Sequence, residues 1–379
     1  MDELYALPEG WEWKKIGDTL VKTKNITPKN NPQSNFTYID ISSINNNTFS
    51  IISPKIILGK DAPSRAKKEV QVNDIVFATT RPNLKNIAIV KEKYNNPVAS
   101  TGFCILRTNK IQNKYLFFYL LSNIFYKQVE KHIRGAQYPA ISDRDVKSIN
   151  IPLPPLHEQK RIVTKLDSLF TRIDRAIALH QQNIDEAEAL IDAVLNEVFE
   201  ELEAKYGLRK INTLFKIKSG DFLPKKKMNI NGNINVYGGN GINGKHSQFN
   251  LIGENIIIGR VGALCGNVHY VYEKIWLTDN AFYISEYYED TNKLFLTYML
   301  KHIKLGNSAN QAAQPVISYK SISNMQLPLP PLKTQQKTVH YLDQLSQKTQ
   351  ALKKVQQEKM QSLKNLKASI LDKAFRGEL

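Results

Sequence analysis

The segment Ile151-Pro152-Leu153-Pro154-Pro155-Leu156 is repeated once in this chain with a single change, and the repetition decides how the rest of the sequence is organised. Its second copy, Leu327-Pro328-Leu329-Pro330-Pro331-Leu332, lies 176 positions later (328 − 152). Because this displacement persists from residue 139 to residue 375, it indicates an internal duplication. The sequence therefore predicts two similar halves, each a globular part followed by a helix. Further identical pairs at this displacement are Pro139 and Pro315, Ile141 and Ile317, Gln159 and Gln335, Leu195 and Leu371, and Phe199 and Phe375.

A long run with helical periodicity follows each proline-rich segment. In the first run, apolar residues alternate at spacings of three and four, which is typical of a coiled-coil seam. The predicted seam of the first helix comprises Val163, Leu166, Phe170, Ile173, Ile177, Ile184, Ile191, Val194 and Val198, with His180 as a polar member. The predicted seam of the second helix comprises Leu342, Leu345, Leu352, Leu363, Leu366 and Ile370, with interruptions at Thr349, Gln356 and Lys359.

Neither helix buries its apolar stripe by itself, so we expect the two helices to pair. An antiparallel coiled coil would place the globular units at opposite ends, related by a pseudo-two-fold axis. The alternative is that each stripe packs on its own globular unit. The predicted fold class is α+β, with α/β units at residues 1–153 and 206–329 and long helices at residues 154–205 and 330–379.

The two globular units differ in length. Ile16 matches Ile211 at a displacement of 195, so the second unit is 19 residues shorter (195 − 176). The loss falls mostly in its first half, where the two sequences also stop resembling each other. A shared scaffold with different loops favours two copies that perform the same task on different targets.

Composition and charge narrow the class of partner. The 379 residues carry a formal net charge of +17, with a pI near 9.5. Such a surplus favours a polyanion, either nucleic acid or an anionic membrane, over a soluble protein that is simply basic. No apolar run approaches the roughly 18 to 20 residues of a membrane span. The start of the chain lacks the order of a signal peptide, so we expect a cytoplasmic protein without membrane contact.

Catalytic and metal-binding patterns are missing from the sequence. Cys104 and Cys265 are too few and too far apart for a disulfide framework or a structural zinc site, and we expect both to be buried. Phosphate-loop, dinucleotide and Gly-x-Ser-x-Gly motifs are absent, as is the Asn/Asp-Pro-Pro-aromatic motif of amino-methyltransferases. The glycine-rich residues 238–244 predict a flexible loop rather than a phosphate cradle. The sequence thus predicts neither catalytic residues nor a bound metal.

Basic and amide side chains are plentiful in the loops of both units. Arginine reaches guanine edges, asparagine and glutamine pair with adenine, and lysine neutralises phosphate. A single loop lysine is usually only solvated, but together these loops favour contact with DNA. The candidate DNA-binding residues are Thr80, Arg81, Asn83, Lys85, Arg134, Gln137 and Tyr138 in the first unit, and Lys225, Lys245, His246, Arg260, Asn310 and Gln311 in the second.

Taken together, these motifs resemble the specificity subunit of type I restriction-modification systems. The resemblance rests on Leu7-Pro8-Glu9-Gly10-Trp11, on the paired proline-rich segments, on Glu158-Gln159-Lys160-Arg161-Ile162-Val163 and on Ala374-Phe375-Arg376-Gly377-Glu378-Leu379. It covers essentially the whole chain. The second copy departs from the pattern at Thr334, which replaces the glutamate, and at Leu208, which follows no Pro-Glu-Gly-Trp.

The resemblance implies that each globular unit is a target recognition domain that reads one half of a split site in double-stranded DNA. The helices would set the gap between the half-sites and dock two methyltransferase subunits. Those partners would carry S-adenosylmethionine and methylate adenine, while restriction subunits would use ATP and Mg²⁺ for cleavage. The chain itself would bind no cofactor and would not be an enzyme. The alternatives are a stand-alone enzyme, which the missing motifs disfavour, and a coiled-coil adaptor for other proteins or RNA.

Overall fold

The computed structural model describes residues 5–135, 137–229, 231–310 and 314–379. The chain divides into two compact units, Met1–Leu179 with Glu358–Leu379, and His180–Gln357. Each unit combines a globular part with a portion of both long helices, so the units cut across the four predicted segments. In the described part of the chain, no helix is both long and apolar enough to cross a membrane.

The elements of the first unit are β1 (Glu12–Lys15), β2 (Asn35–Ile39), β3 (Ile44–Asn45), β4 (Ser50–Ile51), β5 (Lys55–Leu58), β6 (Ala66–Glu69), β7 (Ile75–Ala78), β8 (Ile87–Ile89), β9 (Val98–Ser100), β10 (Phe103–Leu106), α1 (Asn113–Leu121), α2 (Asn123–Glu130), α3 (Asp143–Ser148), β11 (Asn150–Leu153), the first part of α4 (Leu156–Tyr206) and the last part of α7 (Leu332–Arg376). The unit is built on two sheets with the strand orders β5-β2-β9-β6 and β10-β7-β8, together with the strand pairs β3-β4 and β1-β11. Because β1 pairs with β11, the start of the chain is tied to the first proline-rich segment.

The main core of the first unit joins the β10-β7-β8 sheet to helices α1 and α2. Every residue of β7 is buried, in keeping with its unbroken apolar sequence. The continuous apolar run at residues 115–121 predicts a buried helix, and α1 confirms it by burying Tyr115 and Tyr119 completely. Phe375 enters the same core, and its ring centroid lies 5.2 Å from that of Tyr115 and 5.1 Å from that of Tyr119. The end of the chain is thus part of the first unit's interior.

The two cysteines are both free thiols. Cys104 lies in β10 and is completely buried, as predicted, and burial raises the pKa of its thiol to about 12. Cys265 is only partly buried. The Cys104 thiol therefore acts as a small packing group, since a thiolate does not form at neutral pH.

The elements of the second unit are the last part of α4, β12 (Arg209–Lys210), β13 (Phe215–Ser219), β14 (Ile234–Gly238), β15 (Gly241–His246), β16 (Asn255–Gly259), β17 (Val268–Val271), β18 (Ile275–Leu277), β19 (Ala281–Tyr287), α5 (Lys293–His302), α6 (Tyr319–Ile322), β20 (Gln326–Leu327) and the first part of α7. They form two sheets with the strand orders β13-β19-β16-β17 and β15-β14-β18, and the short pair β12-β20. Its main core is formed by the β13-β19-β16-β17 sheet together with α5.

The glycine-rich residues 238–244 form the tip and second strand of a β-hairpin, so the prediction of a flexible loop was wrong. β14 pairs antiparallel with β15, and the register runs from Ile234 opposite His246 to Gly238 opposite Gly241. Gly241 has a φ of +93°, a conformation that glycine adopts without strain. A Cβ at Gly239 would lie 2.2 Å from the carbonyl oxygen of Val261. The glycines therefore permit a tight hairpin turn that packs closely on the chain after β16.

A buried glutamine fixes the start of each long helix to its globular unit. In the first unit, the Gln159 Nε2 amide donates to the Pro154 carbonyl at 2.9 Å, and its Oε1 accepts from the Gln112 N–H at 3.0 Å. Gln335 makes the same two bonds, to the Pro330 carbonyl at 2.8 Å and from the Asn292 N–H at 2.8 Å. The glutamine of the repeated motif thus joins the proline-rich segment to the N-cap of α1 or α5.

Within each unit the portions of α4 and α7 pack side by side and run antiparallel. In the first unit, Lys367 Nζ lies 2.8 Å from Asp174 Oδ1, and Arg161 donates to the carbonyl of the more C-terminal Leu379 at 2.7 Å. In the second unit, Lys353 pairs with Glu188, and Thr334, earlier on α7, contacts the later Tyr206. The predicted antiparallel coiled coil is therefore confirmed.

The two helices carry opposite net charges. α4 contains six basic and eleven acidic residues, a net charge of −5, whereas α7 contains ten basic and three acidic residues, a net charge of +7. Most of these side chains are exposed, so individual pairs contribute little. The overall asymmetry favours pairing of α4 with α7 over pairing of either helix with its own copy.

The seam of α4 follows the prediction, whereas the seam of α7 does not. Every predicted seam residue of α4 is buried or half-buried, as are Leu342, Leu345, Leu363 and Ile370 of α7. Leu352 and Leu366 are 41% and 48% exposed, so their assignment to the seam needs correction. The helix instead buries Thr349 and Gln356, which the sequence suggested were interruptions. The His180 ring hydrogen-bonds Gln356, so a polar layer lies inside the seam.

Candidate nucleic-acid interface

Residues 80–85 of the first unit form an exposed turn directly after the buried strand β7. The Thr79 hydroxyl donates to the Gly102 carbonyl at 2.9 Å and fixes the point where the chain leaves the sheet. The turn itself is a short 3₁₀ helix, Pro82–Leu84. It is flanked by two non-glycine residues in the left-handed region, Arg81 at φ 49° and Lys85 at φ 53°. Such conformations are uncommon and concentrate at functional sites.

Residues 134–140, of which 136 lies outside the described residues, form a second loop against this turn. Arg134 and Ala140 exchange backbone hydrogen bonds at 2.9 Å in both directions. The Arg81 N–H donates to the Pro139 carbonyl at 2.7 Å. The two loops are therefore held together by main-chain bonds that do not depend on their side chains.

These bonds bring most of the first unit's candidate residues together. The Arg81 guanidinium carbon lies 5.4 Å from the centre of the Tyr138 ring, which is 68% exposed. Arg134 is exposed and lies 3.6 Å from an Asp145 carboxylate oxygen. The remaining members of this Arg81–Tyr138 cluster are the half-buried Thr80 and the exposed Asn83 and Gln137.

Asp145 keeps a negative charge beside Arg134. The Ser142 hydroxyl donates to the Asp145 carboxylate at 2.6 Å. This hydrogen bond, with a smaller contribution from Arg134, lowers the pKa of the carboxyl group. Arg134 is therefore partly neutralised by an acidic neighbour, whereas no ion pair involves Arg81 in the described part of the chain.

Lys85 does not belong to this cluster, although it follows Arg81 closely in sequence. Its ammonium group lies 4.5 Å from the Tyr126 ring centre and 3.4 Å from the Leu121 carbonyl oxygen. Burial lowers the pKa of this ammonium group, an effect that Asp372 partly offsets. Lys85 therefore packs on the end of α1 and on α2.

The second unit holds the corresponding loops with the same main-chain bonds. The Gly262 N–H donates to the Pro315 carbonyl at 2.9 Å, as Arg81 does to Pro139. The Ile317 N–H donates to the Arg260 carbonyl at 2.9 Å, as Ile141 does to Thr79. Arg260 is thus equivalent to Thr79, and Gly262 is equivalent to Arg81.

Arg260 is half-buried at the base of the second unit's loops. Its guanidinium carbon lies 5.4 Å from the centre of the Phe282 ring. Its Nε atom is buried and has no hydrogen-bond partner among the described residues. The Asn310 side chain accepts from the Val316 N–H at 2.9 Å. Gln311, another candidate, lies outside the described residues.

The remaining candidates of the second unit lie along the hairpin. Lys225 is exposed on the turn Lys225–Lys227, and this segment leads to Asn229, whose N–H donates to the Lys245 carbonyl at 2.9 Å. Lys245 is exposed and lies four residues beyond the hairpin tip, at roughly 13 Å along the strand. The His246 ring instead packs on Trp276 at 5.0 Å. Both lysines are exposed, and the bond at Asn229 joins their two segments; we refer to them as the Lys225–Lys245 patch.

The structure adds two exposed polar residues, Thr101 and Asn240, to the loops that hold the candidate residues, and sequence reasoning missed both. In the first unit, the Thr101 N–H donates to the Arg65 carbonyl at 2.8 Å, and a Cβ at the adjacent Gly102 would lie 3.7 Å from the Thr80 hydroxyl. In the second, the Asn240 side chain at the hairpin tip lies about 3.5 Å from where a Cβ of Gly262 would be. These neighbours are distant in sequence, and their residue types are ordinary for loops, so no local pattern indicated them.

Comparison with known proteins agrees with the repeated architecture. A family model described as "Type I restriction modification DNA specificity domain" matches residues 8–189 and 203–361. The putative type I restriction enzyme MjaX specificity subunit of Methanocaldococcus jannaschii is 25% identical over 372 residues, which cover 88% of this chain and 86% of the relative.

Two solved structures are similar over nearly the whole chain. One comes from work on complex assembly and conformational transition of the type I R-M system; it is 34% identical, with a TM-score of 0.82 over 99% of this chain and 100% of its own. The HsdS subunit of Thermoanaerobacter tengcongensis is 33% identical, with a TM-score of 0.56 over 99% of each chain. These matches disfavour the adaptor alternative. The chain belongs to the family of type I restriction-modification specificity subunits.

Proposed function

We propose that this chain gives a type I restriction-modification complex its DNA sequence specificity, with each globular unit reading one half of a split duplex site. The first unit would read its half-site with the Arg81–Tyr138 cluster. The second would use Arg260, Asn310 and the Lys225–Lys245 patch. Lysines and arginines outside these loops would neutralise phosphates, in line with the net charge of +17.

The observation that carries this proposal is a loop scaffold that the two units share and on which their side chains differ. Both units use the same backbone bonds after their central strands, from Arg81 to Pro139 and from Gly262 to Pro315. The side chains placed on that scaffold differ in size and charge. An enzyme would need one fixed constellation of reacting groups, whereas a pair of readers needs different contacts on equivalent frames.

The long helices would set the gap between half-sites and provide the docking surface for two methyltransferase subunits. α4 spans 51 residues, which corresponds to roughly 75 Å of helix. The buried Gln159 and Gln335 fix each helix to its globular unit, so helix length would be transmitted to the reading loops.

The chemistry would belong to the partner subunits. Methyltransferase subunits would carry S-adenosylmethionine and methylate adenine, and restriction subunits would use ATP and Mg²⁺ for cleavage. This chain would act in the cytoplasm, where the DNA and these partners are found, without catalytic residues or a cofactor of its own.

DNA binding by the assembled complex tests the proposal. The chain should be co-purified with its methyltransferase subunits, and its affinity for duplex DNA should be measured by fluorescence anisotropy between 50 and 200 mM salt. We expect weak binding by the isolated chain, tighter binding by the complex, and an affinity that falls steeply with salt because phosphate neutralisation releases counterions. Absent or salt-insensitive binding by the complex would refute the proposal.

The gap-setting role needs a separate experiment. Seven residues inserted after Asn183 in α4, with seven inserted before Gln356 in α7, would preserve the heptad register and lengthen the helices by about 10 Å. Since duplex DNA rises about 3.4 Å per base pair, the recognised gap should grow by about three base pairs. An unchanged gap at full methylation activity would exclude this role for the helices.

A further inference from the structure

Arg81 occupies a backbone position for which arginine is a costly choice. Its φ of 49° and ψ of 57° lie in the left-handed region, where a Cβ atom meets the following carbonyl oxygen. The equivalent position in the second unit is Gly262, with a φ of +102°, and it makes the same hydrogen bond to a proline carbonyl. The scaffold thus accepts glycine here, and glycine adopts positive φ without strain. An arginine at this site indicates that its side chain is needed for something other than the fold.

The surroundings of Arg81 fix the direction of its side chain. Its N–H is bonded to the Pro139 carbonyl at 2.7 Å, and its own carbonyl accepts from the Leu84 N–H at 3.0 Å. The guanidinium lies over the exposed Tyr138 ring. A ring beneath a guanidinium restricts its plane and leaves its in-plane N–H donors free.

A fixed guanidinium suits base readout better than phosphate binding. Neutralising a phosphate requires only a cation within reach, and a flexible lysine on relaxed backbone supplies one. Bidentate contact with a guanine edge requires two donors held in a defined plane. Among the described residues, no carboxylate forms an ion pair with Arg81, so both donors remain available to DNA.

We propose that Arg81 is a specificity-determining residue of the first unit and donates to both O6 and N7 of one guanine in its half-site. This proposal rests on the proposed function, because it assumes that the unit reads DNA. Tyr138 is a positioning residue that holds the guanidinium plane. The equivalent glycine leaves the second unit without such a contact at this position.

The test combines a base analogue with a substitution. Methylated-adenine sequencing first identifies the split site of the wild-type complex. The assembled complex then binds duplexes in which each guanine of the first half-site is replaced, one at a time, by 7-deazaguanine, which lacks the N7 acceptor. For wild type, one replacement should weaken binding by roughly 5- to 150-fold. Arg81→Gly should bind the natural duplex and that analogue duplex equally.

Three further substitutions, at Lys304 and Tyr138, separate base readout from charge and from backbone strain. Lys304→Gly in the second unit removes the same charge from the same backbone conformation, since Lys304 has a φ of 49°. It should leave the 7-deazaguanine effect intact. Tyr138→Phe retains the ring and should behave as wild type, whereas Tyr138→Ala should reduce the effect of the analogue.

The thermal midpoint of Arg81→Gly should be unchanged or higher than that of wild type, because glycine removes the strain. A midpoint several degrees lower would show that Arg81 is kept for the fold and would overturn the inference. The inference would also be overturned if Arg81→Gly weakened binding to the natural and the analogue duplexes by the same factor and kept the wild-type preference between them, as the loss of a phosphate contact predicts. It would fail as well if no guanine replacement affected wild type. Failure of the wild-type complex to recognise a split site would instead overturn the proposed function itself.

Discussion

In the first unit the backbone after the central strand places an arginine over a tyrosine, and in the second unit the same backbone places a glycine at the equivalent point. The hydrogen bonds that define the two frames, from Arg81 to Pro139 and from Gly262 to Pro315, differ by only 0.2 Å in length (2.9 − 2.7). The comparison shows that main-chain hydrogen bonds hold these loops in place. Side chains there are consequently free to vary with the target.

At the ends of the long helices, by contrast, packing of side chains stabilises the fold. Phe375 of α7 and Phe199 of α4 are equivalent in the repeat, but their environments differ. Phe375 is completely buried between Tyr115 and Tyr119 in the first unit. Phe199 is half-buried and stacks on His302 at 4.2 Å in the second. Phe199 and Phe375 therefore hold equivalent positions in the repeat but pack against different neighbours and to different depths.

The largest expected effect is the loss of Phe375. Phe375→Ala should destabilise the first unit by about 3 to 5 kcal/mol, because it leaves a cavity among fully buried aromatic rings. Phe199→Ala should cost the second unit only about 1 kcal/mol, because half of the ring is already in water. Hydrogen exchange read by mass spectrometry reports each unit separately. Equal losses in the two units would contradict the asymmetry.

Substitution of Gln159 and of Gln335 should destabilise the two units by similar amounts, unlike substitution of the two phenylalanines. Gln159→Leu and Gln335→Leu each leave a proline carbonyl and a helix N-cap N–H without partners, so each should cost its own unit about 1 to 3 kcal/mol. Gln350 is exposed on α7, and Gln350→Leu is the matched control with little expected change. Urea unfolding followed by hydrogen exchange measures the free energy of unfolding of each unit in all three variants. If either substitution left the free energy of unfolding unchanged, that glutamine would not fix its helix to the globular unit.

The polar layer inside the seam predicts a non-additive effect. His180→Leu or Gln356→Leu alone leaves the other side chain without its partner and should cost about 1 kcal/mol. The double substitution should cost less than the sum of the two, since it replaces the pair with apolar packing. A double-mutant cycle from urea unfolding measures the coupling. Additive losses would show that the two side chains do not interact.

The smallest effect is expected on the outer face of α7. Leu352→Gln and Leu366→Gln should each change the stability by less than about 0.5 kcal/mol, because both leucines are largely exposed. Leu342→Gln, at a residue only 3% exposed, is the destabilising comparison. Thermal unfolding of the three variants distinguishes a seam that includes Leu352 and Leu366 from one that excludes them.

The sequence predicted the architecture because its signals are long and repeated. The displacement of 176 residues and the heptads of α4 extend over many turns, so tertiary context did not obscure them. The seam of α7 was harder to predict, because it passes through Thr349 and Gln356 while apolar Leu352 and Leu366 face water. Apolar spacing alone does not identify such a seam when His180 of the partner helix supplies a hydrogen bond.

The candidate site was predictable by residue type but not by geometry. Arg81 and Lys85 look equivalent in sequence, yet one lies over exposed Tyr138 and the other packs on Tyr126. Arg260 and Arg81 both follow a buried strand, yet Arg260 is equivalent to Thr79, because the displacement in this region is 181 and not 176. Backbone hydrogen bonds between residues far apart in sequence determine both the separation of Lys85 from Arg81 and the equivalence of Arg260 with Thr79. No local sequence pattern predicts such bonds.

The central claim is that each globular unit reads its own half-site on a shared scaffold. The most direct test replaces residues 206–329 with a second copy of residues 1–153 and maps methylated adenines in cells that also express the partner subunits. The account predicts a new site made of two copies of one half-site, with the other half-site lost. Methylation of the original two-part site by the altered chain would contradict it.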